Sequence, residues 1–210
     1  MFVFLGGGIK NYLWHGIKQT ATFFPITHFG SYILNRRRVV DLVLGSIEQQ
    51  KVTRKGVARS VYLCGCRGMG KTCTLELIGE EFLGKGYEVF FYESVSHISD
   101  ANFQEFKEYM KDKSRSVVIL VDEIDFKPGS ANLSLLLKLP CSNLIVIGAA
   151  VPSSVKSGTT GNFGKSIHMS DLVLKKGDSD FEALVETLVK SKHPAESSQI
   201  CTNIAYFILE

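Results

Sequence analysis

The run Gly65-Cys66-Arg67-Gly68-Met69-Gly70-Lys71-Thr72 fits G-x-x-x-x-G-K-[ST] without a mismatch and constrains this chain more than any other feature. Before it, Val61-Tyr62-Leu63-Cys64 is short, apolar and β-branched or aromatic, which predicts a buried strand. After it, Thr72 to Leu83 predicts a helix that stops at Gly84. Strand, glycine loop and helix form the context that a phosphate-binding loop needs, and a chance glycine turn loses ground to it. Glycines let backbone N–H groups turn inward around a phosphate, and the helix N-terminus adds positive potential. Gly65, Cys66, Arg67, Gly68, Met69, Gly70, Lys71, Thr72 and Cys73 are therefore the nucleotide-binding candidates. Lys71 would reach the β- and γ-phosphates, and the Thr72 hydroxyl would hold Mg²⁺.

A second site follows. Val117-Val118-Ile119-Leu120-Val121 is an aliphatic strand that delivers Asp122 and Glu123 to one edge of a sheet, the Walker B pattern. Nucleotides bind at the carboxyl edge of open α/β sheets. Asp122 would bind Mg²⁺ through water. Glu123 would orient and deprotonate the attacking water, which makes Glu123 and Lys71 the catalytic candidates. Asp125 belongs either to this acidic cluster or to the surface. A solvated strand end would be the favoured reading of the two acids alone; the phosphate loop reverses that.

Around these sites the chain alternates. Arg36 to Gln50 predicts a helix behind Asn35, with Val39, Val40, Val43, Leu44 and Ile47 at helical spacing. Lys51 to Ser60 reads as a polar surface loop. Tyr87 to Tyr92 predicts a strand, and Asp100 caps a helix running to about Lys111. Ser130 to Leu139 predicts a helix ended by Pro140, and Leu144 to Ile147 the next buried strand. Ala149 to Lys165 reads as a long loop, Ser166 to Met169 as a last strand. Two helices follow, one carrying Phe181, Leu184, Val185, Leu188 and Val189, the other opened by Pro194. The second reaches Glu210 without a stop signal, so a longer natural chain is expected. Strands alternating with helices imply a parallel sheet with right-handed crossovers.

The N-terminal segment has no acid before Asp41 but carries Lys10, Lys18, Arg36, Arg37 and Arg38, a mild likeness to an organellar presequence. Gly6-Gly7-Gly8 and the lack of arginine before Arg36 favour an irregular extension instead. The five cysteines form no C-x-x-C pair, which argues against a zinc site or disulfide framework and for a reduced, intracellular compartment, cytoplasmic or nuclear. No apolar run approaches the roughly 18 residues that a membrane span needs. The net charge of +3 does not by itself argue for nucleic acid. Arg36, Arg37, Arg38, Arg54, Lys55 and Arg59 could contact it, but they read better as a solvated flank supporting the phosphate field.

Together these motifs resemble a P-loop ATPase of the division that keeps a glutamate beside the Walker B aspartate, and within it the AAA+ and STAND group, including Orc/Cdc6-like members. The resemblance spans residues 35–210 and implies an α/β three-layer sandwich, a five-stranded parallel sheet in order 5-1-4-3-2, and a truncated C-terminal helical lid. It divides the chain into an extension (1–34), an ATPase core (35–175) and a partial lid (176–210). ATP and Mg²⁺ are the implied cofactors. Asn35-Arg36-Arg37 resembles the Gly-Arg-acid box of these modules without its glycine, and Lys165 to Leu172 resembles the fifth strand and the step into the lid. Ile147 to Ser154 and Ser170-Asp171-Leu172 give a looser likeness to Crinkler-type effector ATPase modules.

Two departures shape the functional reading. The polar sensor 1 residue expected at the end of the fourth strand is replaced by Ile147-Gly148-Ala149, where only Ser153 or Ser154 could substitute by folding back. No arginine follows Arg115, whereas the family's arginine finger and sensor 2 arginine lie beyond Walker B; Lys156 and Lys165 are the nearby cations, without a guanidinium fork. The leading expectation is a slowly hydrolysing ATP-dependent switch or motor whose output goes to a protein partner or a missing C-terminal domain. A small P-loop kinase is the enzymatic alternative, disfavoured by the arginine-free C-terminal half. A nucleotide-binding scaffold without turnover is the other. A GTPase is disfavoured by the lack of an [NT]-K-x-D motif.

Overall fold

The computed structural model describes residues 13–14, 26–29, 32–124, 130–151 and 162–175. Its main sheet contains β3 (Arg59–Cys64), β4 (Glu88–Tyr92), β5 (Val117–Val121), β6 (Leu144–Ala150) and β7 (Lys165–His168). They lie in the order β4-β5-β6-β3-β7, every pairing parallel. Counted within this sheet the order is 2-3-4-1-5, the expected 5-1-4-3-2 read from the other edge. The first strand therefore sits between the fourth and the fifth, and the chain leaving β3 faces the end of β5 two strands away.

Alternation along each strand divides the core into two layers. Val61, Leu63, Val89, Val118, Leu120, Ile145 and Ile147 pack on one side against Val39, Val43 and Ile47 of α1 (Arg36–Thr53) and Leu75, Ile78 and Phe82 of α2 (Lys71–Gly84). Phe90, Tyr92, Val117, Ile119, Val121 and Val146 pack on the other side against Phe103 and Phe106 of α3 (Asp100–Tyr109) and Leu133, Leu136 and Leu137 of α4 (Ser130–Leu137). Covering both faces explains why β5 and β6 are buried at every position. Each fully buried Ile, Leu or Phe contributes roughly 1.5–3 kcal/mol, so the two layers hold the sheet rigidly enough to position loops at its edge.

Several boundaries differ from expectation. The polar stretch before the first strand is not all surface loop: α1 continues to Thr53, and Arg59 and Ser60 already belong to β3 and are buried. Gln50 makes this tolerable, since its side chain donates to the Ser60 carbonyl and accepts from the Ser60 amide. Strand β6 runs past Ile147 through Ala150, so Ala149 and Ala150 are strand and not loop; small residues there escape a composition-based strand signal. Strand β7 starts at Lys165, one residue earlier than read. Ser99, not Asp100, caps α3, its hydroxyl accepting from the Asn102 amide.

The segment before α1 is not irregular throughout. β1 (Ile26–Phe29) and β2 (Tyr32–Asn35) form an antiparallel pair, and β2 also pairs with β8 (Val173–Lys175), making a second, three-stranded sheet. The expected lid helices lie outside the described residues.

Leu13 and Trp14 complete the packing. Leu13 bridges Phe90 and the Trp14 amide donates to the Val89 carbonyl at 2.8 Å, so this pair covers the outer edge of β4. Trp14 lies over α2 where Gly79 leaves room: a Cβ at Gly79 would stand 2.2 Å from Trp14 Cζ3 and 3.0 Å from Leu120 Cδ1. Gly79→Ala should therefore expel the indole, costing about 1–3 kcal/mol. Trp14 is the only tryptophan, so its emission reports directly. A red shift with a lower Tm is expected; unchanged emission and Tm would refute this seat.

Candidate functional site

The loop between β3 and α2 turns where its glycines permit. Gly68 and Gly70 take φ of 84° and 76°, the left-handed region where a side chain is strained. Met69 is buried beneath the loop, and the Cys66 amide points to its Sδ at 3.1 Å. Thr74 ties its own turn to the loop by donating to the Gly70 carbonyl at 2.9 Å. Gly65 is crowded from below, since a Cβ there would lie 3.2 Å from both Met69 Sδ and Met169 Cβ. Helix α2 starts directly after Gly70, without a side-chain cap, so its N-terminus opens onto this loop as an anion site requires.

Lys71 opens α2 and folds back over the loop. Its Nζ donates to the carbonyls of Gly65 and Cys66, each at 2.9 Å. Partial burial lowers its pKa, against the opposing pull of the Asp122 charge. The ammonium thus sits at the centre of the loop with a desolvation cost that an arriving phosphate would offset.

The acid pair meets the loop. Thr72 Oγ1 donates to Asp122 Oδ2, joining the start of α2 to the end of β5. Asp122 is buried, and its Oδ1 accepts from the Glu123 amide at 2.9 Å. The chain here is clamped between neighbouring strands: the Asp122 amide donates to the Tyr92 carbonyl at 2.8 Å and the Ile124 amide to the Ala149 carbonyl at 2.9 Å. Between these anchors Glu123 takes φ 43°, the one non-glycine positive φ among the described residues. That conformation costs about 1–2 kcal/mol and turns the Glu123 side chain out of the sheet into solvent beside the loop.

Glu76, which belongs to neither motif, completes the acidic set. Burial raises its pKa, the Asp122 charge raises it further, and the Arg36 charge opposes both. Its position four residues beyond Thr72 on α2 places it on the same helix face, the signal that could have found it. Arg36, from the Asn35-Arg36-Arg37 box, is thereby brought to the site. Asp125, Ser153, Ser154 and Lys156 lie outside the described residues. Lys165 pairs with Val61 at the start of β7, three residues short of the sheet edge where His168 pairs with Cys64.

The donor set suits a nucleotide with Mg²⁺. Among the described residues no cluster of three His, Cys, Asp or Glu could cage a metal. Mg²⁺ is commonly held by one or two protein oxygens, substrate phosphates and water, and Thr72 with Asp122 supplies that minimum. Cys66 is exposed and Cys73 partly so, on either side of the lysine. Iodoacetamide should label Cys66 readily in the free chain, and saturating Mg²⁺-ATP should slow labelling at Cys66 and Cys73. Equal rates with and without nucleotide would exclude these cysteines from the phosphate site.

Residues 61–134 match the family model for the ATPase family associated with various cellular activities (AAA). The matched segment holds the phosphate loop, α2 and the Asp122-Glu123 pair, and it supports an ATP-binding P-loop ATPase core. Comparison with curated protein sequences gave no match. Among solved structures, C. elegans PCH-2 is 16% identical, with 72% of this chain and 45% of that chain covered and a TM-score of 0.43. A RuvB variant of Thermotoga maritima is 18% identical, with 82% of this chain and 56% of that chain covered and a TM-score of 0.48. This chain thus spans about half the length of each. Among the described residues no helix is long and apolar enough to cross a membrane.

Proposed function

We propose that the chain is the nucleotide-binding core of an Mg²⁺-dependent ATPase switch of AAA+/STAND type, slow in hydrolysis. The observation that carries this reading is the Thr72–Asp122 hydrogen bond, which puts the two ends of the motif pair in contact across the sheet edge. When bound, Mg²⁺ supplies charge neutralisation at the β- and γ-phosphates. Thr72 and Asp122 would hold it, the loop amides and Lys71 would bind the phosphates, and Glu123 would orient and deprotonate the attacking water. The buried Asp122 keeps its carboxylate fixed by two hydrogen bonds, whereas the exposed Glu123 carboxylate has room for a water molecule. The output goes to a protein partner or to a further domain. The five cysteines form neither a C-x-x-C pair nor an even-numbered framework, which supports a reducing compartment inside the cell.

The test is equilibrium binding of a fluorescent ATP analogue and phosphate release by the purified chain, each with and without Mg²⁺. Tight Mg²⁺-dependent binding with slow release is expected. No binding at millimolar nucleotide would remove the proposal.

A further inference from the structure

At the opposite edge of the sheet, where β3, β5 and β6 begin, a cavity of about 540 Å³ opens between the end of α3 and the turn before β6. Met110, Leu139 and Pro140 give it apolar surface; Lys107, Lys111 and Lys113 line it, and no carboxylate does. Lys111 is 2.5 Å from Glu108, whereas Lys107 and Lys113 have no carboxylate partner among the described residues. The Lys113 charge also works against burial at the Cys141 thiol, another lining residue, which places that ammonium close to the cavity wall.

Behind the wall lies an unusual arginine. Arg59 is 6% exposed, and its Nη2 donates at 3.2 Å to the carbonyl of Ser142, which lines the cavity. Its Nε and Nη1 are buried with no hydrogen-bond partner, and no ion pair neutralises it among the described residues. A buried guanidinium left so poorly satisfied raises the positive potential at the cavity floor.

From this juxtaposition we infer a docking site for a short acidic peptide segment of a protein partner, one that places an apolar side chain on Met110, Leu139 and Pro140 and its carboxylates among the lysines. Charge complementarity selects this occupant. Single-stranded nucleic acid is normally held on aromatic platforms, and none of the lining residues is aromatic. A compact phosphate favours a helix N-terminus, but α3 presents its C-terminal end here, where backbone carbonyls repel anions and only the extended lysines reach out. An extended peptide can keep its carboxylates at the lysine tips and clear of those carbonyls. The site is independent of the nucleotide reading, since it lies at the other end of the strands.

The experiment measures anisotropy of a fluorescein-labelled glutamate-rich peptide with one central leucine, on the full chain at low salt. Binding is expected to weaken about tenfold in the double variant Lys107→Glu/Lys113→Glu, and with a leucine-to-serine peptide. Both lysines are exposed, so the variant should keep its Tm and its affinity for the fluorescent ATP analogue. Lys71→Ala should leave peptide binding unchanged. No peptide binding, equal affinity in the double variant, or displacement of the peptide by inorganic phosphate or a thymidine oligonucleotide at matched charge would each overturn the assignment.

Discussion

Lys71→Ala is expected to weaken nucleotide binding by at least about thirtyfold, whereas Glu123→Gln should bind as the parent does and lose turnover. The two outcomes differ because the two side chains enter the reaction differently. Lys71 carries a partly buried ammonium that, among the described residues, donates to the Gly65 and Cys66 carbonyls, which are neutral acceptors. A phosphate would bring a full negative charge to it. Removing one partner of such a charge pair commonly costs about 2–5 kcal/mol, a factor of about 30 to several thousand in affinity. The ground state already makes this contact, so the loss appears in Kd. Glu123 contributes to the architecture through its backbone: its amide, not its carboxylate, donates to Asp122. Glutamine preserves that bond, the size of the side chain and the left-handed turn. It removes only the basic oxygen, and general-base contributions run to about 10²–10⁴ in rate. Binding titrations and single-turnover phosphate release on both variants check the split. Retained hydrolysis in Glu123→Gln would show that another group activates the water.

The reasons why some of this was readable in the sequence and some was not are physical. The phosphate loop is local: eight consecutive residues set their own backbone path, so Gly68, Gly70, Lys71 and Thr72 could be assigned before any contact was known. The parallel sheet followed because each aliphatic run was bounded by helical periodicity, whereas its strand order was implied only by the family resemblance. What escaped were features made by distant residues. The small sheet joins β1 and β2 to β8 across more than a hundred residues, and its strands of three or four residues are too short for a pattern. Arg59 and Ser60 looked like surface because their burial rests on Gln50 and Ser142, which only the fold brings near. Ala149 and Ala150 carry no strand propensity and are held in β6 by pairing with Leu63 and Cys64.

Turnover by the unaided chain is expected to be slow, below about 10⁻² per second, although binding is tight. The phosphoryl transition state spreads charge over three oxygens, and an arginine finger contributes about 10³–10⁵ in rate. Where the arginines sit decides the matter. Arg115, the last in the sequence, donates to both oxygens of Glu88 at 3.0 and 3.4 Å and to Asp112 at 3.1 Å, and lies 4.2 Å over the Tyr109 ring. It stands before β5, and the strand that separates it from Asp122 carries it about 20 Å from the site. It is therefore too far from Asp122 to serve as an arginine finger within this chain. Arg59 is buried at the same far end, Arg37 is paired with Glu81 and Asp41, and Arg36, the one brought to the site, has its charge opposed there by Glu76. Arg67 is exposed within the loop itself, where it can meet the ground-state phosphates and the transition state alike. Uniform binding of that kind lowers Kd without raising the chemical rate. An identical subunit also lacks any arginine beyond Walker B, so self-association should not supply a finger from that region; a partner protein that inserts an arginine should accelerate the reaction. Single-turnover phosphate release across a range of chain concentrations separates these cases. A rate above about 1 per second in the purified chain, abolished by Glu123→Gln, would mean that the site already holds a cation able to stabilise the transferring phosphoryl group.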